Sequence, residues 1–235
     1  MTENSVWRCG MNERKYYEAY EERYHQVHSR DLNWFMEKPS EIVGDVLRRY
    51  GIGKEEKLLE LGCGEGRDAG VLLKLGYDML ATDISDASVN YCKKKFPDHA
   101  EKFSRLDCVT GQLANRFDFI YAVAVIHMLV LDQDRAGFYR FIREHLSENG
   151  IGLICTMGDG TMECCSDIST AFALQERVHE QSGKTMMIAG TSYRAVSFQS
   201  FRKELKANGL KILEEGFTDM KPDYYQMMYA VVKRD

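Results

Sequence analysis

Between Leu58 and Asp68 the chain reads LLELGCGEGRD, an apolar run that breaks into alternating glycines. Glu60 precedes the glycines and Arg67 follows them. Glycines between a strand and a helix let the chain turn tightly and let a ligand touch the backbone. Gly62, Gly64 and Gly66 depart from the dinucleotide pattern G-x-G-x-x-G, because the third glycine comes one residue early and Arg67 holds its place. A bare helix N-terminus suffices for a pyrophosphate. An arginine there points to another anion, such as a carboxylate gripped by the guanidinium fork. Two more carboxylates follow at regular intervals. Asp83 has the place where an acid accepts from both hydroxyls of a ribose. Asp107 and Cys108 offer a carboxylate for an exocyclic amine and a backbone N–H for a ring nitrogen. Turn or capping chemistry is the other reading of both aspartates.

These residues need elements to hold them. KLLEL from Lys57 reads as a buried strand, with a helix over Asp68 to Leu75 stopped by Gly76. YDMLATD is the next strand, and Ser85 or Asp86 caps a helix running to about Lys95, before Pro97. FSRLD and FDFIYAVAVI are the third and fourth strands, the latter apolar enough for the middle of a sheet. An amphipathic helix over Asp134 to Leu146, closed by Asn149-Gly150, leads to the strand IGLICTM. A helix over Phe198 to Ala207 ends at Asn208-Gly209, and LKILEEGF and YYQMMYAVVKR finish the chain as two strands. Strands alternating with helices predict an α/β fold: a Rossmann-like, seven-stranded, mostly parallel sheet covered on both faces. The last two strands have no helix between them, so the final one is expected antiparallel, beside the fifth. Residues 1–50 read as an N-terminal helical lid. Residues 51–235 read as one domain with a cover insertion at about 158–197, placed where insertions usually overlie a site.

Strand tips suited to a carboxylate, a ribose and an adenine, with no phosphate, describe S-adenosylmethionine (SAM). The same residues resemble the class I SAM-dependent methyltransferases: E-x-G-x-G-x-G after the first strand, Asp83 after the second, Asp107 after the third, Phe117-Asp118 opening the fourth. Within that family the chain is similar to the small-molecule members of thiopurine and tellurite-resistance type. Tyr20-Glu21-Glu22-Arg23-Tyr24 stands where those carry W-x-x-R-Y, with Trp34 further on. The resemblance implies SAM as cofactor and S-adenosylhomocysteine as product. It implies that Gly62, Cys63 and Gly64 contact the methionyl portion, that Arg67 pairs its carboxylate, and that Glu60 orders the loop by accepting backbone N–H bonds. Asp83 would hold the ribose, Ile84 pack on adenine, and Asp107 and Cys108 read its edge. Ala122 and Val123 would lie near the sulfonium. Tyr24 and Trp34 would serve the lid, or simply pack helices.

The acceptor is less legible. His127 follows the fourth strand as a candidate base, but His127-Met128-Leu129 also matches a structural H-x-L step of the family. Tyr193 and Arg194 would greet an anionic acceptor or pair with nearby acids. Cys164-Cys165 would seize a soft metalloid or be an ordinary reduced pair. No metal site is expected. The 235 residues carry a net charge of -5, a poor match for a nucleic-acid binder, and Lys93-Lys94-Lys95 reads as a solvated helix end. The only prolines, Pro39, Pro97 and Pro222, leave no Asn-Pro-Pro-Tyr element and no Pro-Cys dipeptide. Seven cysteines without framework spacing, no signal-peptide core at the N-terminus and no run long enough to span a bilayer predict a cytoplasmic protein. The expected enzyme is a methyltransferase of a small molecule, monomeric or homodimeric, with neither nucleic acid nor membrane as partner. A protein or RNA methyltransferase and a non-catalytic SAM-binding protein stand as alternatives, and a nicotinamide dehydrogenase is disfavoured by the displaced glycine.

Overall fold

The computed structural model describes residues 14–34, 38–179, 182–220 and 224–235. Residues 1–13 and 35–37 of the expected lid, Cys9, residues 180–181 of the cover and Pro222 lie outside the described residues. The apolar runs of the sequence assemble a seven-stranded sheet in the order β10-β11-β5-β4-β1-β2-β3. These strands are β1 (Lys57–Leu61), β2 (Asp78–Asp83), β3 (Phe103–Arg105), β4 (Phe117–Val123), β5 (Leu146–Met157), β10 (Leu210–Met220) and β11 (Tyr224–Arg234). β11 runs antiparallel to both β10 and β5, and the pairs from β5 to β3 are parallel. Strands β1 and β4 are buried almost throughout, as central strands covered on both faces must be. Buried clusters on the two faces hold Ile120, Phe138 and Phe201 on one side and Phe119, Tyr121 and Leu72 on the other.

Helices α2 (Glu41–Arg49), α3 (Arg67–Lys74), α4 (Asp86–Lys95), α5 (Asp132–His145) and α6 (Phe198–Ala207) accompany the sheet. Ser85 caps α4 by accepting from Ser88 N at 3.0 Å, and Gly209, at φ +70°, follows the end of α6 as expected. Two expectations fail locally. Asn149-Gly150 does not close α5, which ends at His145 and passes directly into β5. The pair lies inside β5, where its register against β4 shifts; a Cβ on Gly150 would stand 2.9 Å from Phe117 O, so close approach explains the glycine. The fourth strand stops at Val123 because Ala124 adopts φ +60°, turning the chain into a short 3-10 turn, Ile126–Met128.

The chain leaves β1 toward β2 and β3, then returns to β4 on the other side of β1. Ligands of open α/β sheets bind at the carboxyl ends of strands at such a reversal. Of the two segments expected there, the N-terminal one reaches the strand tips with Tyr17, Tyr20 and Tyr24, whereas no described residue of 158–197 lines the cavity they enclose. A 3-10 turn (Tyr16–Glu18) runs into α1 (Ala19–His28). Within the cover, β6 (Cys164–Cys165) pairs with β9 (Arg194–Ala195), and β7 (Leu174–Val178) forms a hairpin with β8 (Thr185–Ala189). Arg23 locks the two together: it donates to Ala189 O at 2.9 Å and Gly190 O at 2.7 Å. Val27 packs with Met186 and Ile188 behind it. No described helix is long and apolar enough to cross a membrane.

Candidate cofactor site

Gly64 sits at φ +52°, in the left-handed region, and a Cβ added there would lie 2.8 Å from the Tyr24 hydroxyl. The loop is thus bare on its cavity side because the roof descends onto it. Asp83 fastens the loop from the next strand tip, accepting from Gly64 N and from Ser85 N, each at 2.9 Å. Burial pushes its carboxyl up to about 6, with those N–H donors working against the shift. Oδ2 takes the Gly64 N–H and Oδ1 the Ser85 N–H, which leaves lone pairs for a diol. Asp107 is more heavily engaged. Its Oδ1 accepts from Val109 N at 2.9 Å, and its Oδ2 takes Lys15 Nζ at 2.5 Å, Thr110 Oγ1 at 2.8 Å and Tyr17 OH at 3.4 Å. These donors and the Lys15 charge hold its carboxyl below the usual range in spite of partial burial.

Glu60 does not play its expected part. Its side chain accepts no backbone N–H among the described residues, and its buried Oε2 has no hydrogen-bond partner there. Asp83 is the loop's backbone acceptor instead. Burial pushes Glu60 up to about 8; Asp68 adds to the shift, and Tyr121 and Arg67 oppose it. A carboxyl protonated more readily in the folded chain stabilises it at low pH, and that stability is lost as pH rises through about 8. The melting temperature of the ligand-free protein should therefore fall from pH 5 to pH 8. Glu60→Gln should flatten that fall and melt at least about 3 °C higher at pH 8, checked by scanning calorimetry.

Arg67 donates to Ser40 Oγ at 2.9 Å and lies 3.3 Å from Asp68 Oδ2, so the N-terminus of α2 holds it at the cavity edge. Tyr24, Glu60, Gly62, Cys63, Gly64, Arg67, Asp83, Ile84, Asp107, Cys108 and Val123 all line one cavity, with about 920 Å³ of empty space counting its open mouth. Ala122 and Trp34 do not line it. Ala122 points into the core, fully buried, because only alternate strand residues face one way. Trp34 donates its backbone N–H to Glu65 Oε1 at 2.6 Å, and its ring takes the Arg23 guanidinium at 5.0 Å, beside the β8 cluster.

The acceptor residues scatter too. His127 is buried outside the cavity lining, and burial followed by the Arg135 charge pushes its imidazole down to about 3. Arg194 bonds Asp132 Oδ1 at 2.6 Å and Val130 O at 2.8 Å, taking the second of its two readings. Tyr193 is exposed and away from the cavity. Cys164 and Cys165 lie on β6, also outside it, and no described group of acids, histidines and cysteines is arranged to hold a metal. Sequence reasoning missed Tyr17 and Tyr20 in the roof, and Val125, Met128 and Leu129 after β4. The roof had a signal: Tyr17, Tyr20 and Tyr24 recur at three- and four-residue spacing, one face of a helix.

Residues 59–151 match the family described as a methyltransferase domain. A protein described as the probable S-adenosyl-L-methionine-dependent methyltransferase TehB of Haemophilus influenzae is 29% identical over 139 residues, covering 57% of this chain and 48% of its own. The middle of the chain is thus similar to a methyltransferase domain, and more than half of it to a probable SAM-dependent methyltransferase. It spans about half the length of the curated relatives it matches. The CcbJ methyltransferase of Streptomyces caelestis superposes with a TM-score of 0.67 at 15% identity, covering 91% of this chain and 98% of that one. The glycopeptide N-methyltransferase MtfA, solved with SAM, gives 0.60 at 17% identity, covering 86% and 91%.

SAM is the cofactor named for these relatives, and the cavity fits it. The unpartnered Glu60 Oε2 offers an acceptor, and the bare cradle at Gly64 leaves room for a chain against the backbone. Asp83 retains acceptors for a diol, and Ile84 lines the wall for a flat base. Arg67 is the cation at the glycine end.

Proposed function

We propose that the chain transfers a methyl group from SAM to a small-molecule acceptor by in-line displacement. The observation that carries this reading is the roof. Tyr17, Tyr20 and Tyr24 close over the strand tips, while Val123, Ala124, Val125, Met128 and Leu129 line the cavity after β4. A covered, mostly apolar chamber suits a small guest better than a protein loop or an RNA strand. The acidic balance and the reduced cysteines fit a cytoplasmic enzyme without nucleic-acid or membrane partners, monomeric or homodimeric. Residues 1–50 act as lid, and 158–197 back it.

Bound in this cavity, SAM supplies a methyl group on a sulfonium that departs as a neutral thioether, so no residue need protonate it. The chain's own work is placement. Asp83 and the glycine loop hold the donor, Arg67 orients its carboxylate, and the apolar wall excludes water from the line of attack. Such positioning contributes about 7–11 kcal/mol when the geometry is ideal. His127 does not line the cavity, and burial with the Arg135 charge pushes its imidazole down, which disfavours it as the acceptor's base. The acceptor then arrives as a competent nucleophile or loses its proton to water.

Titration calorimetry with SAM and with S-adenosylhomocysteine tests the first half of this reading; no heat with either would end it. A screen of thiols, amines, phenols and metalloid oxyanions for S-adenosylhomocysteine formation tests the second. With any acceptor it returns, His127→Ala should keep kcat within about two-fold, since general-base catalysis would be worth roughly 100-fold or more. RNA or protein as the sole productive acceptor would replace the small-molecule reading.

A further inference from the structure

The roof carries three tyrosines in a row, and the middle one has no evident task. At one end, the Tyr17 hydroxyl lies 3.4 Å from Asp107 Oδ2, over the adenine tip. At the other, the Tyr24 hydroxyl stands against Gly64, over the methionyl tip. Seven residues of helix put these ends roughly 11 Å apart along the axis. That matches an adenosyl amino acid laid across the strand tips. Tyr20 falls between them on the same face, where ribose gives way to the methionyl chain. The sulfur belongs at that junction.

Tyr20 is buried at the cavity wall, yet it stands outside the buried apolar clusters of the described residues. Its hydroxyl makes no hydrogen bond with any described residue. Its ring is held in place by Arg23, whose guanidinium carbon lies 5.2 Å from the ring centroid and whose N–H groups are taken by the Ala189 and Gly190 carbonyls. The remaining surface of the ring is left to the cavity. A fixed aromatic surface in a water-poor site attracts a cation through its quadrupole, and far less a neutral group of the same shape.

We propose that Tyr20 faces the sulfonium and makes the site prefer the charged methyl donor over its neutral demethylated product. The inference rests on the SAM reading above. It adds that the roof discriminates between the two ligands by charge, which favours exchange of spent product for fresh donor after each turnover.

Titration calorimetry on the purified chain, with SAM and S-adenosylhomocysteine in separate runs, decides the matter. Tyr20→Leu should weaken SAM about ten-fold and the product less than about two-fold, so that their affinity ratio falls. Tyr20→Phe, which keeps the ring, should preserve the ratio. If Tyr20→Leu fails to fold, pentafluorophenylalanine in place of Tyr20 carries the test, because it keeps the shape of the ring and reverses its quadrupole; the same loss of ratio is expected. Equal weakening of both ligands, or no change in either, overturns the role of Tyr20 while leaving SAM binding intact. Absence of heat with both ligands in the unaltered chain overturns the SAM reading itself, and this inference with it.

Discussion

Gly64→Ala should cost the protein most of its cofactor affinity, a rise in Kd of at least about 30-fold, equivalent to roughly 2 kcal/mol. Two physical effects add. An L-residue at φ +52° resists the left-handed region by about 1–2 kcal/mol. The new Cβ would also stand 2.8 Å from the Tyr24 hydroxyl, and overpacking of that kind costs about 1–3 kcal/mol. Tyr24 has little room to retreat, since it is buried with its ring beside that of His28, centroids 5.6 Å apart. Part of the strain is then relieved by moving the loop, whose Gly64 N–H bonds Asp83 and whose carbonyl accepts from Ser88 and Cys92. The melting temperature should drop by about 5 °C or more. A second substitution separates the two effects. Tyr24→Phe removes the crowded oxygen, and the next ring atom would lie 3.8 Å from the Cβ, an ordinary contact. The double variant should regain part of the lost stability in a thermal melt. No recovery would mean that the backbone conformation alone carries the cost.

The glycine loop and Asp83 were legible because their chemistry is local. A turn that needs positive φ, a carboxylate just past a buried strand and a serine cap each leave a mark within a few residues of sequence. Asn149-Gly150 shows the limit of such marks: the pair has turn chemistry, yet Gly150 is small because Phe117 O passes close by. Ala124 gave no sign of its left-handed turn, which brings Val125 and Met128 to the cavity. The roof was harder still. Lys15 reaches Asp107 across 92 residues, and Arg23 reaches Ala189 across 166. Such pairings exist only once the sheet and its cover have formed. His127 had two readings, a base or a structural step, and its place after β4 could not separate them; the 3-10 turn that buries it beside the Arg135 charge favours the structural one.

Asp83→Asn should raise the Kd for SAM by about 30- to 100-fold, since hydrogen bonds to a charged group contribute roughly 1.5–3 kcal/mol and the amide presents one acceptor oxygen instead of two. Its NH₂ group would also have to face either Gly64 N–H or Ser85 N–H, donor against donor. The pH dependence makes the test sharper. Burial raises Asp83 to about 6, so its acceptor form is lost on mild acidification. Between pH 7 and pH 5 the affinity for SAM should fall about ten-fold in the unaltered protein and stay nearly flat in Asp83→Asn. Acid unfolding does not explain such a fall. A carboxyl raised from its ordinary 3.8 to about 6 stabilises the folded chain at low pH and loses that stability as pH rises through 6. Glu60 has the same sign over its own higher window. Acidification from 7 to 5 should thus raise the melting temperature of the ligand-free protein while lowering its affinity for SAM. Two opposite slopes from one carboxylate identify Asp83 as a ligand-binding group. Parallel slopes, or an affinity independent of pH, would reduce it to a fastener of the glycine loop.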